Sequence, residues 1–266
     1  MATALRPLTL GELLDRVFQL YRRNVVLFCG LAGIPYAAVL ALQLATLDYQ
    51  RAPLTLGWGV TVLAVALAGF VANSCAQAGT VSAVSQLYLG QTVSIGETFG
   101  NIRSRVLRLC LMSLALGIII GLGFIALILP GLYLMLRWAL VVPSMVVERK
   151  GIGQSMRRSA FLMADQYGRA FLIYVLFFIL SLIFTSVFQV PAIIGAAMAP
   201  VPGVMPVWAE VLMQVGAFLA NTFIGPLLII AIALLYYDAR VRKEAFDLEH
   251  MTSQIENAGV PAPLTT

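Results

Sequence analysis

Six apolar runs, at about residues 25–47, 57–88, 106–129, 132–147, 170–198 and 208–237, set the terms for everything else in this chain. A helix needs about 20 such residues to cross the hydrocarbon of a bilayer. Five of the runs meet that length, while the fourth has 16 residues and carries both Arg137 and Pro143. A soluble core cannot absorb so much apolar surface. Hydrophobic residues make up 61% of the chain and charged ones 11%, against about 45–50% and 25% in soluble domains. In lipid the backbone must satisfy its own hydrogen bonds, which for runs of this kind means helices.

Between the runs, one signal recurs. Thr9-Leu10-Gly11-Glu12 and Ser94-Ile95-Gly96-Glu97 have the spacing of a capping box, a hydroxyl at the N-cap and a carboxylate three residues on. Gly151-Ile152-Gly153-Gln154 is a degraded third copy. Each opens a basic amphipathic stretch, at 10–23, 95–108 and 153–168. In the first, Leu13, Leu14, Val17, Phe18, Leu20 and Tyr21 share one arc, and Glu12, Asp15, Arg16, Gln19, Arg22 and Arg23 the other. The expected fold is therefore an all-α polytopic membrane bundle of about six transmembrane helices in three hairpin modules, each preceded by a cytoplasmic amphipathic interface helix. Residues 1–249 form a single integral membrane domain, and 250–266 a mobile C-terminal tail. Leu129-Pro130-Gly131 is read as the tight turn joining the third and fourth spans.

Of the 17 basic residues, all but Arg51 and Arg137 fall on the side that holds both termini. The positive-inside rule then predicts cytoplasmic termini, with the first span uncleaved. Anionic phospholipids of the bilayer are the expected partners, contacted through Arg22, Arg23, Arg105, Arg108, Arg157 and Arg158. A membrane or cytoplasmic protein is the other expected partner, and nucleic acid is not, because no aromatic-interleaved basic patch exists.

Catalytic signals are thin. His250, the sole histidine, lies in the tail, and Cys29, Cys75 and Cys110 are scattered singly through apolar runs without metal or disulfide spacing. No phosphate-binding loop, dinucleotide fingerprint or zinc-protease motif is present. The expectation is a protein that is not an enzyme and has no catalytic, cofactor-binding or metal residues. The polar residues that stand out are intramembrane: Arg137 with Glu210 as its expected partner, Asn73 and Gln77 on the second span, and Asn221 on the sixth. Counted from Gly131, Arg137 would sit about 9 Å along a helix, in the outer half of the membrane, paired with Glu210 or with carbonyls near Pro130-Gly131. Ala64, Ala68, Ala72 and Ala76, and Gly117 with Gly121, are small-residue faces expected to serve packing within the chain.

The stretches RPLTLGELLDRVFQLYRRN, PGLYLMLRWALVVPSMVVERKGIGQSMRRSAFLM and YYDARVRKEAFDLE resemble the membrane domain attached to some bacterial glycerophosphoryl diester phosphodiesterases. The resemblance covers nearly all of 5–249. Its most specific marks are the repeated Leu/Ile-Gly-Glu/Gln helix starts and the set Arg137, Trp138, Pro143 and Glu148. It implies a membrane domain of the bacterial cytoplasmic (inner) membrane without the catalytic barrel, and brings no catalytic residue with it. The function expected is a non-enzymatic membrane scaffold organising partners or anionic lipids. A transporter, channel or lipid-moving protein with a polar path near Asn73, Gln77 and Arg137 is the alternative, disfavoured by the lack of a discontinuous-helix pair in the sequence.

Overall fold

The structure, a computed structural model, describes residues 8–48, 55–103, 106–198 and 205–257, and the side chains of these except at 103 and 245–257. They form eleven helices: α1 Leu10–Arg23, α2 Val25–Ala45, α3 Leu56–Tyr88, α4 Ile95–Arg103, α5 Val106–Ala126, α6 Ile128–Arg137, α7 Val141–Glu148, α8 Ile152–Met163, α9 Tyr167–Ala197, α10 Val207–Phe223 and α11 Gly225–Asn257. No strand occurs among the described residues. Six segments are long and apolar enough to cross a membrane: α2, α3, α5, Ile128–Glu148, α9 and Val207–Glu244. They coincide with the six apolar runs.

Two of the six are broken. Span four divides at Trp138–Leu140 between α6 and α7, and span six at Ile224 between α10 and α11. Both breaks have a proline just beyond them, Pro143 and Pro226. A proline cannot donate to the carbonyl four residues back and its ring crowds that carbonyl, which here belongs to Ala139 or Thr222. The sequence reading, which had no discontinuous-helix pair, is corrected on this point. Pro35 and Pro191, by contrast, lie inside the unbroken helices α2 and α9.

The three recurring helix starts diverge in detail. At α1 the capping box is complete: Thr9 Oγ1 accepts from Glu12 N–H at 3.3 Å, and Glu12 Oε2 accepts from Thr9 N–H at 2.8 Å. Ser94 Oγ accepts from Glu97 N–H at 3.2 Å, whereas Gly151 caps α8 with no side chain. The predicted helix over 95–108 ends at Arg103, and residues 104–105 lie outside the described set. That over 153–168 ends at Met163, because Asp165 adopts a left-handed backbone with φ 73° before α9 begins. On α1, Leu13 and Val17 are fully buried while Asp15, Arg22 and Arg23 are exposed.

The bundle is organised around α11, which packs on α1, α2, α3, α7, α8, α9 and α10. Leu227, Ile230, Ala231, Leu235, Tyr236 and Ala239 of α11 are buried in one core with Phe28, Leu31, Val84 and Phe177. The helix runs on to Asn257, so residues 250–257 continue it where a tail was expected. Residues 258–266 lie outside the described set.

The α5–α6 hairpin reaches this core through Leu136 at the end of α6. Its turn is at Leu127, whose backbone is extended, and not at Leu129-Pro130-Gly131. Pro130 occupies the first turn of α6, where its missing donor leaves no bond unmade. Ile125, Leu127, Ile128 and Leu129 at the tip are exposed. Gly117 and Gly121 face open space, so this small-residue pair does not pack within the chain. On α3 only Ala72 and Ala76 of the alanine stripe are buried, while Ala64 is exposed.

Candidate functional site: a groove at the break in span six

Where α10 stops, a space opens. A cavity of about 450 Å³ is walled by α2, α3, α9, α10 and the start of α11, with Ile224 and Gly225 of the break in its lining. Its polar groups are Tyr36, Asn73, Gln77, Tyr174, Ser181, Thr185 and Asn221. Tyr36 lies at the middle of α2, and Tyr174 about 10 Å beyond the start of α9 at 1.5 Å per residue. The polar set thus sits within the membrane-length stretch of the helices. The Tyr36 hydroxyl donates to Asn73 Oδ1 at 3.3 Å, and Asn221 Nδ2 donates to the Ala217 carbonyl of its own helix at 2.8 Å. Apolar walls come from Phe177, Phe178, Leu228 and Ile229. Phe178 is 67% exposed and Asn221 is also exposed, so the space is a groove open on its flank.

A second cavity of about 160 Å³ continues it. It shares Gln77, Tyr174, Leu228 and Ile229 with the groove and ends against Ala139, Val142 and Pro143 at the break in span four. The two helix breaks are therefore joined by one line of cavities. None of the residues lining it carries a charge. Amides and hydroxyls in an apolar wall can orient a polar head while accepting a hydrocarbon body. They offer no nucleophile–base pair, and no group of three or more His, Cys, Asp or Glu among the described residues could hold a metal.

Of the expected intramembrane cluster, Asn73, Gln77 and Asn221 come together here, and Arg137 and Glu210 do not. Arg137 donates to the Tyr133 hydroxyl at 2.8 Å, and the Tyr133 ring lies 5.8 Å from that of Tyr167 at the start of α9. Glu210 is at the other end of α9, two residues from Trp208, which fills the space beside Gly195. Tyr167 and Gly195 are 28 residues apart on one helix, roughly 42 Å. The expected Arg137–Glu210 pair is thereby corrected. Arg137 lies instead beside Ser159 of α8 and the start of α9, at the end of α9 opposite Glu210. The carbonyl of Arg137 is taken by Ser159 Oγ at 3.0 Å, and the same oxygen accepts from Leu140 N–H at 3.1 Å. Ser159 thus closes the interrupted ladder of span four.

Two ion networks seal that polar end, and sequence reasoning missed both. Asp238, its side chain fully buried, accepts from Leu8 N–H at 2.7 Å, Arg169 and Arg242. Arg169 and Arg242 also donate to the Leu8 carbonyl, at 2.8 and 2.6 Å. Glu148 accepts from Arg158 at 2.9 Å, from the Tyr236 hydroxyl at 2.6 Å and from Lys150. Arg158 reaches on to Glu244, which Arg240 also holds. Arg240, Arg242 and Glu244 are thus bound into the fold. The readable signal was the i,i+4 spacing of Asp238 with Arg242 and of Arg240 with Glu244.

Among the expected lipid contacts, Arg22 and Arg23 are exposed beside Asp15, Phe18 and Gln19, and Arg157 and Arg108 are exposed. Arg105 lies outside the described residues. Arg158 is corrected: burial works against its charge, but Glu244 and Glu148 outweigh this and raise its pKa, so its guanidinium is committed to protein carboxylates.

No curated protein and no solved structure matches the chain. The family model for the membrane domain of glycerophosphoryl diester phosphodiesterase matches residues 110–261, from within α5 through the whole of α11. It describes the membrane domain of that enzyme family and not its catalytic domain. With more than half of its length matched, including both broken spans and the Glu148 network, the chain belongs to the family of glycerophosphoryl diester phosphodiesterase membrane domains.

Proposed function

We propose that this chain is a non-enzymatic, multi-pass membrane module that takes an amphiphilic lipid into the flank-open groove at the span-six break. The carrying observation is the meeting of Asn73, Gln77 and Asn221 with Phe177, Phe178 and Leu228 in one uncharged cavity open to the side. A lipid entering sideways would keep its chains against the apolar wall and present its polar linkage to the amides. The family description, naming an enzyme of glycerophosphoryl diesters, supports a module that handles molecules of that class. The reading favours a bacterial inner membrane with both termini cytoplasmic, where the polar end would meet anionic headgroups.

Photocrosslinking tests it. The full chain in nanodiscs containing a phospholipid with a diazirine in its acyl chain should be labelled between 174 and 185 and between 217 and 229 more strongly than on α5. The double variant Gln77→Leu, Asn221→Leu should lose the groove labelling and keep that on α5. Groove labelling no stronger than on α5, or indifferent to the double variant, would overturn the proposal.

The second reading, a scaffold for anionic lipid or a protein partner, is favoured by the outward polar face of α1, where Arg22 and Arg23 flank Phe18.

A further inference from the structure

At the polar end, away from the groove, a second cleft of about 450 Å³ lies between the end of α3, α4, the start of α5 and the end of α7. Three cations line it: Arg108 from α5, and Arg149 and Lys150 from the turn after α7. No carboxylate does among the described residues. Glu148, next in sequence to Arg149, is engaged by Lys150, Arg158 and Tyr236, and among the described residues no ion pair reaches Arg108 or Arg149. Ser85, Gln86 and Asn101 add hydroxyl and amide groups to the rim, and the floor is buried and apolar, built by Ile102, Leu109 and Met145.

The backbone at Arg149 adds an independent argument. It caps α7 in the left-handed conformation, φ 56° and ψ 29°, where glycine or asparagine is the inexpensive choice. An arginine there carries conformational strain that the turn itself does not require. Arg149 lines the cleft from the turn after α7, and Arg108 lines it from α5.

We infer that this cleft is a binding site for a phosphate ester, with Arg108 and Arg149 gripping the phosphate oxygens, the Ser85, Gln86 and Asn101 side chains meeting the hydroxyls of the esterified group, and the Ile102–Leu109–Met145 floor its carbon skeleton. Paired guanidiniums suit this role because their planar forks match phosphate oxygens in geometry as well as charge. A phosphate ester can reach the cleft as the headgroup of an anionic phospholipid or as a free soluble ester. The site is independent of the groove.

The test uses the full chain in nanodiscs. One arm compares thermal protection by phosphatidylglycerol with phosphatidylcholine discs, and the other titrates glycerol 3-phosphate into phosphatidylcholine discs. Protection by either probe should weaken about tenfold in apparent affinity for Arg108→Gln and for Arg149→Gly, one lost charge-assisted contact in each case. Arg149→Gly relieves the left-handed backbone, so its loss of binding cannot come from misfolding. Arg22→Gln with Arg23→Gln removes two cations outside the cleft and should leave the response to glycerol 3-phosphate unchanged. Response to phosphatidylglycerol alone assigns the site to a lipid headgroup, and response to glycerol 3-phosphate assigns it to a soluble ester. No response to either probe, or a response that Arg108→Gln and Arg149→Gly leave intact, overturns the inference.

Discussion

Arg137 and Glu210 stand at opposite ends of α9, the first beside Tyr167 through Tyr133 and the second beside Gly195 through Trp208. At roughly 40 Å they cannot share a proton, a salt bridge or a cavity. The destabilisation of Arg137→Leu and Glu210→Leu should therefore add, within about 0.5 kcal/mol, in the double variant. Thermal unfolding of the four proteins in one detergent measures it. A coupling above about 1 kcal/mol would bring the two residues back together.

Asp238 holds three donors from three parts of the chain, with its side chain fully buried. Asp238→Asn leaves Arg169 and Arg242 facing each other without a counter-charge. The expected cost is about 3–5 kcal/mol, the range for removing one partner of a buried pair. Arg242→Gln should cost less, because Arg169 still neutralises the carboxylate. Besides a lower Tm, the Asp238→Asn protein should lose protease protection around residues 8–15, and unchanged protection there would refute the clamp.

How much of this was legible is best judged at these two sites. The six spans and the limits of α1 could be read because length, polarity and the Thr9–Glu12 box act locally. Arg137 was misplaced because the count began at Gly131, whereas the turn lies at Leu127, which puts Arg137 about 15 Å along α6, beside α8 and the start of α9. Pro143 and Pro226 were visible signals of both breaks, but proline also sits in the unbroken α2 and α9, so residue type alone could not decide. Asp238 was unreadable for another reason. Its partners at Leu8 and Arg169 are 230 and 69 residues away, and no local pattern reports such a distance. The trio Asn73, Gln77 and Asn221 was recoverable because amides inside apolar runs are conspicuous wherever they point.

Glycines should divide by what lies beside them. At Gly195 an added methyl would land on the Trp208 ring, and Gly195→Ala should destabilise by about 1–3 kcal/mol through overpacking of α9 on α10. At Gly117 nothing lies within 4 Å, and Gly117→Ala should be neutral or slightly stabilising in the same melting assay. Equal effects at both would contradict the α9–α10 packing.

The arginines should separate in a similar way. Arg22→Gln with Arg23→Gln, on exposed α1 positions, should lower the anionic lipid retained after detergent extraction and leave Tm nearly unchanged. Arg158→Gln should do the reverse, costing about 1–3 kcal/mol because Glu148 and Glu244 lose a shared donor. Native mass spectrometry and a melting curve read the two effects apart.

Orientation is open to a direct test. Cysteine introduced at Asp48 should react with a membrane-impermeant maleimide in intact cells, and cysteine at Gln154 only after permeabilisation. The opposite pattern would invert the topology.

The clamp between Leu8 and Asp238 also sets a schedule. Leu8 leaves the ribosome 230 residues ahead of its partner, which at about 5–20 residues per second is a wait of roughly 10–50 s. Throughout that interval the apolar stripe of α1 has no α11 to lie against, and the bilayer surface is its natural resting place. A helix made late fastens one made early. A loose α1 is therefore the mark of a nascent or stalled chain, and one that a membrane protease could recognise without inspecting any of the spans.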